Sequence, residues 1–227
     1  MTAETSSTKF FDRARNWAVS LEATGGTGIA FAVFATAAVL LTRPVSREHL
    51  DAGTAAALLR GGSGHGEVAI AGYLIVFASI ALLWFIGTLR RRIGDREDKL
   101  FATVFLGSGL VLIALLLAAF AVLATPNVLA GMTDSGTAAA SVPFAYSLGA
   151  ELLTGVAPRV AAVFILSLTT LGRISGAFPR WLSAVNVVIA LLLLIGSGLA
   201  WQIWWLFPAW TFLVGCEIML HRHDTES

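Results

Sequence analysis

The chain has 227 residues, 57% of them hydrophobic and only 13% charged, with a formal net charge of +1 and a mean hydropathy of +0.81. Its charged fraction is about half that of an ordinary soluble domain, which argues against a water-soluble globule. The near-neutral balance removes any electrostatic case for nucleic acid as a partner. The lone cysteine, Cys216, excludes an intramolecular disulfide and any cysteine-built metal cluster.

In chain order, residues 10–21 come first. Phe10, Ala14, Trp17 and Leu21 share one helical face, with Lys9, Arg13 and Arg15 near the other. Two readings fit: an amphipathic helix on an anionic leaflet, or a plain basic lead-in to the first span. Six long apolar segments follow, at about residues 25–42, 67–89, 100–124, 149–171, 182–200 and 206–220. Most match the length needed to cross a hydrocarbon core of about 30 Å. Their uniform apolarity excludes the alternating strands of a barrel. Arg43-Pro44 is expected to stop the first span, with Ser46 capping a short outer helix to about Leu59. Pro126 is expected to close the third span and leave a Gly/Ala/Ser/Thr loop over 127–148. Pro158 either kinks or starts the fourth.

The expected fold is therefore all-α: a single polytopic bundle of six transmembrane helices covering residues 1–227. The basic residues set its orientation. Lys9, Arg13, Arg15, Arg90, Arg91, Arg92, Arg96, Lys99, Arg173, Arg180 and Arg222 fall on one side of such a bundle, and only Arg43, Arg47 and Arg60 on the other. Both termini are expected in the cytoplasm. Trp201, Trp204 and Trp205 then lie at the outer interface with Trp210 just inside, where indole rings favour the headgroup zone.

Few side chains in the spans can do chemistry. Arg159, beside Pro158 in the fourth span, is the clear intramembrane ion. It is either a ligand for an anionic group or a guanidinium that snorkels or pairs. Glu151 lies eight residues before it, on roughly the same face but about 12 Å away. Glu67 opens the second span, and His65 sits in a Gly-rich stretch just before it. Arg159, Glu151, Glu67 and His65 are the candidate ligand-binding set, converging on an outward pocket. The competing account is that the carboxylates merely complement helix N-termini. His65 and Glu67 with His49 and Glu48, or Glu217 with His221 and His223, fall short of a zinc ligand set, so no metal is expected. No span holds a His or Lys for haem or a Schiff base, and no catalytic motif occurs. No cofactor is implied and no catalytic residue is identified. Asn186 is the one carboxamide well inside a span, a residue type that joins helices. Small residues such as Gly107, Ser108, Gly109, Gly196, Ser197 and Gly198 favour close helix contact.

Three stretches carry a resemblance. Leu83-Trp84-Phe85-Ile86-Gly87-Thr88-Leu89-Arg90 ends the second span, Phe178-Pro179-Arg180-Trp181-Leu182 leads into the fifth, and Phe207-Pro208-Ala209-Trp210 opens the sixth. Together they resemble a group of six-span actinobacterial integral membrane proteins catalogued only as a domain of unknown function. That resemblance implies a multi-pass protein of the bacterial inner membrane and carries over no catalytic residue. The functional expectation is a non-enzymatic accessory or scaffold component of the envelope, with membrane lipids and a membrane-protein partner or a second copy as neighbours. The alternative is a carrier or binder of a small amphipathic or anionic molecule.

Overall fold

The structure, a computed structural model, describes residues 21–46, 63–93, 99–130, 135–176, 179–197 and 201–220. Every regular element among them is helical. In order they are α1 (Leu21–Ser46), α2 (Ser63–Ile93), α3 (Lys99–Ala130) and α4 (Ser135–Ala150). A π turn (Glu151–Val156) leads into α5 (Ala157–Ile174), followed by α6 (Arg180–Gly196), a 3-10 turn (Trp201–Trp205) and α7 (Leu206–Leu220). Four helical stretches are long and apolar enough to cross a membrane: Thr24–Thr42, Gly66–Arg91, Leu100–Leu129 and Gly136–Ile174. Arg180–Gly196 is apolar but shorter.

Three expectations about helix ends are corrected. α1 continues through Pro44 to Ser46, past the stop expected at Arg43-Pro44. α3 runs through Pro126 to Ala130. The expected loop 127–148 is largely helix, because α4 begins at Ser135. For Pro44 and Pro126 the physical reason is the same. A proline deletes one backbone donor, and where water is scarce the remaining backbone still satisfies itself best as helix. The 16 residues of α4 include Pro143 and five alanines, and Ala is the best helix former. Pro158 lies in the first turn of α5 directly after the π turn, with Val156 and Ala157 also in helical geometry, so the helical path runs through it and the π turn accommodates it. The amphipathic reading of residues 10–20 and the short helix expected over 47–59 lie outside the described residues.

α1 packs on α2 and α7, α2 on α3, and α3 on α4 and α5, while α6 lies along α5. Since lipid is as apolar as leucine, burial alone gives little drive for these contacts; close packing and interhelical hydrogen bonds do the joining. One aromatic cluster ties five helices together. Phe105 of α3 stacks on Phe164 of α5 with ring centroids 4.8 Å apart. Phe164 meets Trp210 of α7 edge-on at 6.1 Å, and Phe85 of α2 meets the same indole at 6.5 Å. Phe207 stacks on Trp210 at 5.8 Å and receives Phe31 of α1 at 5.4 Å. Such pairs contribute about 0.5–1.5 kcal/mol each beyond area. Glycines set how closely the helices approach. A Cβ on Gly215 would stand 2.7 Å from the carbonyl oxygen of Gly25, so α1 and α7 touch backbone to backbone there. At the end of α5, Gly176 takes a φ of 73°, which turns the chain sharply.

Candidate functional site

Arg159 stands in the first turn of α5, directly after the π turn and Pro158. In an α-helix the proline ring would press on the carbonyl four residues back. Widening the preceding turn to the i→i−5 register, seen in the Ala157 N–H that donates to the Leu152 carbonyl, removes that clash. The extra residue re-aims Arg159. Its Nη2 donates to the main-chain carbonyl of Ser197 at 3.1 Å, at the C-terminal cap of α6. A helix C-terminus carries partial negative charge and carbonyls without intrahelical donors. The guanidinium therefore satisfies a helix end, and it joins α5 to α6 at the level of the 3-10 turn.

The other expected ligands are not gathered around it. Glu151 is exposed in the π turn, and a Cβ on Gly155 would fall on its carboxylate, so the side chain lies back along its own helix. Glu67 is partly exposed near the start of α2. The extensive contacts of α2 are with α1 and α3, whereas the π turn and α5 pack on α3, α4 and α6. Glu67 and Arg159 thus stand on helices that do not lie against each other. His65 is in the first turn of α2, with its side chain outside the described set. Among the described residues, no three His, Cys, Asp or Glu side chains group closely enough to hold a metal ion. His49, Glu48, His221 and His223 lie outside the described residues.

The interior polar groups are mostly tied to the bundle itself. The Trp210 Nε1–H donates to Asn186 Oδ1 at 2.8 Å, joining α7 to α6. Asn186 is fully buried, and its Nδ2 has no hydrogen-bond partner among the described residues. Thr42, Thr88, Ser167, Thr169 and Thr211 donate to carbonyls three or four residues back in their own helices. Trp204 and Trp210 are each 1% exposed. Both rings are packed inside the bundle. The rings that Trp210 meets on α2 and α5, Phe85 and Phe164, are unreadable from sequence spacing.

Two concavities stand open among the described residues. The larger is a groove of about 710 Å³ between α1 and α7, with Ala32, Thr36 and Ala37 on one wall and Pro208, Ala209 and Phe212 on the other. The smaller, about 220 Å³, is a notch near the end of α2 lined by Leu83, Trp84, Gly87, Thr88 and Arg91. Among the described side chains, none of Arg159, Glu151 and Glu67 lines either one. No family model, curated protein or solved structure matches this chain.

Proposed function

We propose that this chain is a non-enzymatic integral membrane protein of the bacterial plasma membrane, crossing it six times with both termini cytoplasmic. Its role is that of an accessory or scaffold component that packs against envelope proteins or lipids, as the resemblance to six-span actinobacterial proteins also suggests. The observation that carries the reading is the α1–α7 groove, which is walled by apolar and small residues. A pocket for a water-soluble substrate would instead gather convergent polar groups. The distribution of Lys and Arg supports the orientation.

The test is a native mass spectrum of the protein extracted gently from its own membrane. A stoichiometric protein partner or tightly held lipid is expected. A lone monomer that turns over a substrate would sink the scaffold reading. The second reading, a binder of a small amphipathic or anionic molecule centred on Arg159, without Glu67 beside it, draws support from the π turn next to Arg159, since such turns recur at functional sites. It expects Arg159→Ala to abolish retention of a small anionic ligand, and unchanged retention would dispose of it.

A further inference from the structure

The notch on α2 has a composition that the packing of the bundle does not use. Trp84, Gly87, Thr88 and Arg91 are spaced i, i+3, i+4 and i+7, so they lie on one helical face. Trp84 is 47% exposed and Arg91 is exposed. Gly87 opens the space between them, and a Cβ there would meet nothing within 4 Å. The Thr88 hydroxyl is occupied, donating to the carbonyls of Trp84 and Phe85 at 3.0 Å each. Among the described lining residues, the Arg91 guanidinium is then the one cationic donor.

Size and surroundings decide what fits. At about 220 Å³ the notch is below the roughly 300–1,000 Å³ of pockets that enclose a small molecule. It can hold a headgroup but not a whole amphiphile. Directly N-terminal on the same face runs an exposed apolar stripe, Tyr73, Phe77, Ile80 and Leu83, where acyl chains can lie. The charge favours an anion. Residues 90–99 hold five basic side chains, Arg90, Arg91, Arg92, Arg96 and Lys99, against three acidic ones, Asp95, Glu97 and Asp98. The opposing term is the C-terminal end of α2, worth about half a negative charge, which is smaller than the excess of full positive charges.

We infer that this notch is a seat for one anionic phospholipid, its phosphate paired with Arg91 beneath the Trp84 indole and its chains along the exposed face of α2. The inference goes beyond the scaffold reading and does not depend on it. A guanidinium matches phosphate oxygens in a planar fork, and a tryptophan beside it sits comfortably at headgroup depth.

The test uses the full chain in nanodiscs of phosphatidylcholine doped with phosphatidylglycerol, followed by controlled delipidation and native mass spectrometry. Wild type is expected to keep one phosphatidylglycerol in preference to phosphatidylcholine. Arg91→Gln should weaken that retention by about fivefold or more, as expected for losing one basic contact at an anionic surface. Gly87→Leu keeps every charge but fills the notch, and it should weaken retention as much. Both sites face open space, so both variants should fold. Arg180→Gln, an exposed arginine on another helix, should behave as wild type. Equal loss in all three variants would mean diffuse attraction to a basic surface and would overturn the site. So would full retention in Arg91→Gln or in Gly87→Leu. Displacement of the lipid by millimolar inorganic phosphate would overturn the lipid assignment in favour of a free-phosphate site.

Discussion

Asn186 and Trp210 show what a single polar pair can do where water is absent. The indole N–H has its partner at 2.8 Å, and both residues are buried. Asn186→Leu would leave that N–H without an acceptor, at a cost of about 1–3 kcal/mol by soluble-protein experience. Membrane-protein hydrogen bonds average nearer 0.6 kcal/mol, so the expected loss is about 1 kcal/mol. It should appear as a lowered unfolding midpoint in mixed micelles. Adding Trp210→Phe removes the stranded donor, so the double variant should lose less than the sum of the singles. Strict additivity would mean that the pair is not coupled. Arg159 makes a different kind of joint. Its bond to the Ser197 carbonyl is charge-assisted but partly exposed, so Arg159→Ala should lower stability by about 1 kcal/mol and raise hydrogen exchange at the end of α6 first. Protection there equal to wild type would show that the guanidinium does not hold that helix end.

Between helices, the decisive contacts are made by residues with almost no side chain. Gly215 meets the Gly25 carbonyl at 2.7 Å from where its Cβ would be, and Gly28 faces the Phe85 ring and the Thr211 carbonyl. Gly215→Leu must push two backbones apart, which overpacking experience puts at about 1–3 kcal/mol. Gly107→Leu, at a glycine with nothing within 4 Å, should be close to neutral in the same unfolding assay. Indistinguishable midpoints would rule out close α1–α7 packing. Neither distinction is legible in the sequence, where Gly107 and Gly109 look alike. Gly109 is packed under Ile86 and Phe164 while Gly107 is open, and which side of α3 meets the bundle depends on partners far along the chain. The apolar helices themselves were legible, since length and hydropathy are local. Their ends were not, because proline is a strong stop signal only where the freed backbone can turn to water. Pro126 is buried inside α3. Of the candidate site, Arg159 was legible as an unusual ion, but its partner 38 residues on was not.

At the scale of the molecule, the run from Gly136 to Ile174 is 39 residues, or about 58 Å at 1.5 Å per residue. That is nearly twice the hydrocarbon thickness, more than the observed tilts of 0–40° can absorb. In the proposed six-span arrangement the π turn, level with the Arg159–Ser197 joint, marks the membrane boundary, and α4 stands outside the hydrocarbon. In a Cys216→Ala background, Phe144→Cys on exposed α4 should react with a membrane-impermeant thiol reagent added to intact cells. Val163→Cys on α5 should not. Labelling of Phe144→Cys only after the cells are opened would reverse the proposed orientation. The meeting of Gly25 with Gly215 also has a consequence for how the protein is made. Those residues are 190 positions apart in the chain, about 10–40 s of synthesis at 5–20 residues per second. For that interval the glycine face of α1 waits without its neighbour, and the aromatic cluster lacks Phe207 and Trp210. The bundle closes only when the last helix arrives, so a chain cut short before α7 would present an unfinished seam to the machinery that inserts and surveys membrane proteins.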